Sequence, residues 1–387
     1  MRPRSGAHCS RLGRQVGSGL AGLLFAAVLL LADVAFPAVS SAAPASSVKN
    51  VTVTVTTSPA VGARAGYTVA FTTSATGGLS AAAGSTVTMV FPAGTGLGSL
   101  SSATLKDTTT GQQVGFANSS STTTLTFVFF GGAVVNAGDG VSADVEGAVN
   151  PATASSTDTV TVSTSSDTTP VVSSHYAIVA GHPVSTPAVT VTTSPAVGAR
   201  AGYTVAFTTS ATGGLSRSAG STVTIVFPAG TGLGSLTSAN LADITTGQRV
   251  GAANSSSTTT LTFTFFGGAV VNAGDNLSAD VEGAVNPATA SSTDSVTVST
   301  SSDTTPVVSG HYAIVAQHPV SGPAVAVTTS PAVGARAGYT VAFTTSATGG
   351  LSGSAGSTVT IVGAECTKLQ NSTPNTYSIQ FSYAATI

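Results

Sequence analysis

Few side chains in this sequence can do chemistry, and the ones that can recur at a fixed spacing. Each of two long stretches carries the same acids: Asp139, Asp144, Glu146, Asp158 and Asp167 in the first, Asp275, Asp280, Glu282, Asp294 and Asp303 in the second. Oxygen ligands of this kind suit calcium, which takes about six to eight of them. Asp144 and Glu146 are two apart, so on a strand they share a face. The calcium candidates are therefore Asp139, Asp144, Glu146, Asp275, Asp280 and Glu282. No Asp-x-Asp-x-Asp-Gly loop concentrates them, and acids on solvated strand edges, where charge discourages edge-to-edge pairing, account for them better. The expectation is no bound metal and a melting temperature indifferent to calcium. His175 and His182 recur as His311 and His318. Seven residues apart and without a metal-ligand spacing, they read as surface or hinge groups. His182-Pro183 and His318-Pro319 lead into the next stretch, and a Pro holds the residue before it extended, as in a semi-rigid linker.

Catalysis finds no frame. There is no Gly-x-Ser-x-Gly elbow, no Gly-x-x-x-x-Gly-Lys loop and no Gly-x-Gly-x-x-Gly, since the glycines of Gly94-Thr-Gly-Leu-Gly98 are wrongly spaced. An intramolecular isopeptide cross-link needs a buried Lys, and Lys106 is replaced by Ala242 in the second stretch. Arg64, Arg200 and Arg336 each sit in a Pro-Ala-Val-Gly-Ala-Arg-Ala-Gly turn and read as turn-capping or edge residues. No catalytic residue and no cofactor is expected.

Composition agrees. Of 387 residues only 7% are charged, against roughly 25% in ordinary soluble proteins. At 42% apolar the chain is not of the disordered class. Thr is about one residue in six, a bias toward strands. A formal net charge of −2 and few basic residues exclude nucleic acid as a partner.

The N-terminus reads as an export signal. Arg2, Arg4, Arg11 and Arg14 precede an apolar run from Leu20 to Ala32, and Ser40-Ser41-Ala42-Ala43 follows. This is the layout of a secretory signal peptide, with cleavage expected between Ala42 and Ser46. An uncleaved anchor is the alternative, and the only route to a membrane; Asp33 and Pro37 suit a spanning helix poorly. Loss of residues 1–45 takes four Arg and Asp33 with it, leaving 8 basic and 13 acidic residues and a net charge of −5. Cys366 is then the one remaining thiol, so no internal disulfide supports the fold and each domain needs its own apolar core.

The rest is one unit repeated with a period of 136 residues, as Arg64, Arg200 and Arg336 show. The first two units differ at 16 of 136 aligned positions, and the third matches the second at 36 of 38 before diverging after Val362. The expected organisation is a signal peptide at 1–45, repeats at 46–188 and 189–324, a truncated repeat at 325–362 and a divergent tail at 363–387. The tail stretch 376–383 alternates and offers a substitute strand; a reading frame lost after Val362 is the other explanation, and the abrupt break favours it.

Within a unit the apolar period is two. Strands are expected around Val51–Val55, Tyr67–Phe71, Val87–Phe91, Leu125–Phe129, Val141–Val145, Val160–Val162 and His175–Val179, with Gly77-Gly78, Pro92, Gly131-Gly132 and Asp167–Pro170 between them. Seven short strands at this spacing predict an all-β fold, an antiparallel β-sandwich ahead of a barrel. Exchanges between units fit it: Met89 becomes Ile225 on the core side and Val128 becomes Thr264 on the other. Phe116 becomes Ala252, which places Phe116 at the surface or in a loop, and Lys106 and Gln113 are expected between strands.

The stretches Gly66–Gly78 and Ser85–Gly94 resemble the Ig-like β-sandwich repeats of bacterial surface proteins, particularly those of high-GC actinobacteria. The resemblance spans residues 51–362 and implies tandem Ig-like antiparallel β-sandwich domains behind a signal peptide helix, acting as stalks, spacers or adhesive modules outside the cell. Its partners would be an extracellular protein or a cell-wall polysaccharide. Two other readings compete: the stalk of an extracellular enzyme whose catalytic part is missing, and a carbohydrate-binding module, which the absence of Trp disfavours.

Overall fold

A computed structural model describes residues 46–362 and the strand at 376–380. The segment 1–45, expected to be a signal peptide, and Cys366 lie outside the described residues. The first repeat contributes β1 (Lys49–Val55), β2 (Arg64–Thr72), β3 (Leu79–Ser80), β4 (Thr86–Val90), β5 (Ser102–Asp107), β6 (Gln113–Ser120), β7 (Thr124–Phe129), β8 (Val134–Val135), β9 (Gly140–Val149), β10 (Ser155–Asp158), β11 (Thr161–Thr164), β12 (Val171–Val172) and β13 (Tyr176–Ile178). The second repeat runs through the same elements from β14 (Ser185–Val191) to β26 (Tyr312–Ile314).

The described residues are all-β, and the first repeat is built around a nine-stranded antiparallel sheet in the order β1-β2-β9-β5-β6-β7-β4-β11-β12, with β3 paired to β8 and β10 to β13 beside it. The sheet curls over until its ends meet: Ser174 N, just past β12, donates to Val51 O in β1 at 3.1 Å. Alternation drives this. In β2, Tyr67, Val69 and Phe71 are buried while Thr68 and Ala70 face outward, and in β7 Leu125, Phe127 and Phe129 are buried between Thr126 and Val128. Met89 and its counterpart Ile225 are both fully buried, and each of the two full repeats closes its own apolar core. The segment 123–130 takes a central place, with β7 lying between β6 and β4.

Two strands differ from expectation. Lys106 lies in β5, and Gln113 and Phe116 lie in β6, so none of the three is between strands. Phe116 is at the surface as expected, 41% exposed. These strands carry little apolar alternation because an acid takes a core position: Asp107 is fully buried, and its Oδ1 accepts from the amides of Thr109 and Thr110 in the following turn. A buried acid held through one oxygen by a turn is invisible to an apolar period.

The boundary drawn at 188/189 falls inside β14. A repeat period sets the length of a unit and leaves its phase free, so the alignment could begin anywhere along the repeat. In the third repeat β27 (Ser321–Val327), β28 (Tyr339–Thr344) and β29 (Thr358–Val362) are present, and the backbone of β30 (Thr376–Gln380) pairs antiparallel with β29. The alternating tail thus takes the course of the substitute strand. The core there is incomplete: Tyr339 is 47% exposed where Tyr67 is fully buried.

Candidate functional site

The residues with the richest polar geometry gather where one repeat meets the next. After β13 the chain is zipped onto the β1–β2 loop of its own repeat, Val61 N donating to Val179 O and Val179 N to Pro59 O, each at 2.9 Å. Residues 180–184 then lead straight into β14. Val315 makes the same pair of bonds with Pro195 and Val197 at the end of the second repeat.

At the tip of that loop, Ser58 Oγ donates to Thr212 O of the second repeat at 2.7 Å, and Arg64 Nε donates to Ala219 O at 2.9 Å. Arg64 Nη2 also donates to Ser99 O in its own repeat at 2.9 Å. Ser101 Oγ donates to Ser218 O. One joint further on, Ser194 donates to Thr348 O at 2.7 Å, Arg200 to Ala355 O at 2.9 Å, and Thr237 to Ser354 O. The acceptors are main-chain carbonyls. Position 217 can therefore be Arg in the second repeat and Gly353 in the third without loss of a partner.

Glycines make the approach possible. A Cβ on Gly214 would lie 2.3 Å from Thr57 O, and one on Gly350 would lie 2.5 Å from Thr193 O. Gly147 forms the bulge at which β2 and β9 shift register, with φ +84°, and a Cβ there would meet Ser101 N at 2.8 Å and Arg64 Nη2 at 3.1 Å. The bulge thus seats the arginine. The sequence reading of Arg64 and Arg200 as turn or edge residues is corrected here: both are inter-repeat clamps. The signal that could have found them is the Gly77-Gly78 pair and its repeats, read only as punctuation.

A buried network backs the joint. Tyr67 Oη donates to Asn150 Oδ1, and Asn150 Nδ2 donates to Ser58 O at 2.8 Å and Ala60 O at 2.7 Å. Tyr203 and Asn286 repeat it on Ser194 and Ala196. Burial raises the Tyr67 and Tyr203 phenols far above their ordinary values, chiefly by desolvation.

The acid candidates are dispersed over separate structural tasks. Asp139 Oδ2 accepts from Asn136 N at 2.9 Å in the turn before β9, and Asp275 accepts from Asn272 N at 2.8 Å. Asp144 accepts from Thr68 Oγ1 at 2.7 Å, and Asp280 from Thr204 Oγ1 at 2.8 Å. Glu146 and Glu282 lie over Gly66 and Gly202, where a Cβ would meet their Oε2 atoms at 2.6 and 2.7 Å. Partial burial, with Asp144 and Asp280 beside them, raises both glutamates above the usual carboxylate range. Asp167 and Asp303 are buried and accept from the amides of Ser74 and Ser210 at 2.8 Å. Among the described residues no three His, Cys, Asp or Glu side chains come together in a metal-holding group. His175 is exposed and its Nδ1 pairs with Thr157 O at 3.0 Å; His182 is exposed in the linker.

A shallow cavity of about 300 Å³ in the first repeat is lined by Leu97, Leu100, Ser102, Ala103 and Asn118, among others. None of these residues is an acid, a base or a thiol. Phe116 and Phe130 stack on the outer surface with ring centroids 5.5 Å apart. In the second repeat Ala252 replaces Phe116, and the Arg249 guanidinium lies over Phe266 at 5.1 Å.

No family model and no curated protein matches the chain. Among solved structures it is similar to the C-terminal domain of the Streptococcus pyogenes antigen I/II-family protein AspA, at 11% identity and a TM-score of 0.28, covering 68% of this chain and 98% of that one. It is also similar to the N-terminal domain of the Streptococcus gordonii adhesin Sgo0707, at 10% identity and a TM-score of 0.26, covering 66% and 62%. A third is the C-terminal fragment of the Streptococcus agalactiae major pilin GBS80, at 10% identity and a TM-score of 0.23, covering 68% and 91%. These neighbours are streptococcal adhesin and pilin domains.

Proposed function

We propose that the chain is a non-enzymatic, exported structural or adhesive module whose repeats form a stiffened stalk at or beyond the cell surface. The observation that carries the reading is the duplicated joint: Arg64 on Ala219 O and Arg200 on Ala355 O, with Ser58 and Ser194 beside them in the same roles. Domains strung on short linkers ordinarily move relative to one another unless an interface restrains them. A module built to transmit reach or load needs that restraint, and an isolated catalytic domain does not. The signal-like N-terminus and the scarcity of catalytic side chains point the same way.

Small-angle scattering on the purified chain tests the mechanical part. The expected profile is that of repeats held in one arrangement, broadening to a hinged ensemble in the Ser58→Ala/Arg64→Ala variant. A hinged profile in the parent chain overturns it. Fractionation of an expressing bacterium tests the export, and recovery of the chain in the cytoplasm with residues 1–45 retained would sink it.

A second reading draws on one observation. The stacked, exposed Phe116–Phe130 pair offers a flat apolar platform of the sort that sugar rings or protein side chains cover. Co-sedimentation with insoluble polysaccharides, with Phe116→Ala as control, decides for or against a carbohydrate ligand there.

A further inference from the structure

Each joint has a donor half and an acceptor half. The donor half is the β1–β2 loop with its Ser and Arg; the acceptor half is the turn that follows the Gly-Gly pair. Within the chain the first repeat donates to the second and the second to the third. Among the described residues this leaves an acceptor half on the first repeat and a donor half on the third. The burial reflects it. Thr212, Gly214 and Ala219 are buried under the preceding repeat, whereas their counterparts Thr76, Gly78 and Ala83 are exposed. Arg336 is exposed as well.

The acceptor turn has the same backbone in all three repeats: Gly84 N donates to Ala81 O at 3.0 Å, Gly220 N to Arg217 O at 2.9 Å, and Gly356 N to Gly353 O at 3.0 Å. The glycine at its base differs in what it faces. At Gly214 and Gly350 the space a Cβ would take is filled by the carbonyl of the neighbouring tip; at Gly78 a Cβ would meet nothing nearer than Ala137 N and Val135 O, both at 3.6 Å. The first repeat therefore presents the same shape with room for a tip carbonyl.

We propose that this face docks the donor loop of a second copy of the chain, head to tail, with Ser330 and Arg336 of one copy donating to the Thr76 and Ala83 carbonyls of the next. The argument is continuity with an interface seen twice within one molecule. Such a contact is heterologous and does not close on itself, so it generates open strings of molecules. Ser330 and Arg336 supply two of the donor groups used at the internal joints; the group at Ser101 and Thr237 belongs to the part of the repeat beyond Val362, where the third repeat diverges. The association is accordingly weaker than the internal joint, which also has the advantage of a tether. The inference stands apart from the stalk reading, since it concerns mass and not stiffness.

Sedimentation velocity on the full chain, from micromolar to near-millimolar concentration and with reductant present so that thiols cannot cross-link, tests it. The expected result is a weight-average mass that climbs with concentration past that of a dimer. Gly78→Ala abolishes the climb without lowering the melting temperature, because its methyl fits the first repeat and collides only with an incoming Thr carbonyl. Arg336→Ala, an exposed change with no bearing on a core, reduces it and decides the matter if Gly78→Ala fails to fold. A constant monomer mass throughout, or association undiminished in the folded variants, overturns the proposal.

Discussion

The Arg64 side chain spans two repeats, donating from Nη2 to Ser99 O in its own repeat and from Nε to Ala219 O in the next, both at 2.9 Å. A planar guanidinium with several fixed donors can do this where a lysine ammonium cannot hold both directions at once. Its partners are carbonyls at the ends of turns, so the clamp depends on backbone position and very little on the composition of the acceptor loop.

Arg64→Ala is therefore expected to uncouple the first two repeats while leaving each core intact. Hydrogen bonds from a charged group contribute about 1.5–3 kcal/mol, an upper figure here because the side chain is partly solvated. Calorimetry should show the repeats unfolding less cooperatively, with the individual transitions close to their original temperatures. A fully retained coupling would assign the joint's strength to Ser58 and the zipped linker instead.

Two phenylalanines in one hydrogen-bonded part of the sheet should behave in opposite ways. Phe127 is fully buried, and Phe127→Ala is expected to cost about 3–5 kcal/mol through lost transfer energy and a cavity. Phe116→Ala reproduces the residue found at position 252 and should change stability by less than about 1 kcal/mol, most of it from losing the stack on Phe130. Denaturant titration of the two variants distinguishes them directly. An equal cost would mean that the outer face of β6 is covered.

Much of this architecture is legible in the Thr and Val alternation. Tyr67, Val69 and Phe71, or Leu125, Phe127 and Phe129, can be assigned to the core from period alone, and exchanges such as Met89 to Ile225 keep to the core side. β5 and β6 escape because Leu105 and Val114 are nearly the only apolar side chains they bury, while Asp107 occupies a core position under a turn. The joint escapes for a different reason. Arg64 finds Ala219 across 155 positions through a main-chain atom, and no pattern of side-chain types marks a carbonyl as an acceptor. Only the glycine beneath it, at a position with no need of a left-handed backbone, carries a trace of the contact.

Glu146 and Glu282 set a pH dependence. Desolvation first, and then the neighbouring Asp144 or Asp280, raise their folded-state values above the reference of 4.5. A raised carboxyl binds more protons in the folded chain than in the unfolded one, so stability falls as pH rises from that reference through the folded values and is recovered on acidification. Glu146→Gln is expected to raise the melting temperature at neutral pH and to flatten its fall with rising pH. Calcium at neutral pH should leave the melting temperature unchanged, since Asp139 and Asp144 already serve Asn136 and Thr68. A rise of several degrees, lost in Glu146→Gln, would assign the glutamate to a cation site.

Asn150 carries the last prediction. It is 1% exposed, and its amide ties Tyr67 on one side to the Ser58 and Ala60 carbonyls on the other. Tyr67→Phe removes one donor and leaves Asn150 Oδ1 buried without it, a loss of about 1–3 kcal/mol. Asn150→Ala orphans the Tyr67 hydroxyl and frees two carbonyls at once, so it should destabilise the first repeat by more than Tyr67→Phe does. The loop it releases carries Ser58, the donor to Thr212, so Asn150→Ala should also loosen the joint. The double variant separates the two effects. If Tyr67 acts only through Asn150, adding Tyr67→Phe to Asn150→Ala costs almost nothing further in chemical unfolding, because the hydroxyl has already lost its partner. A second full loss in the double variant would show that the hydroxyl contributes independently of the amide, since Tyr67→Phe keeps the ring and its edge-on packing against Phe91 and Tyr176.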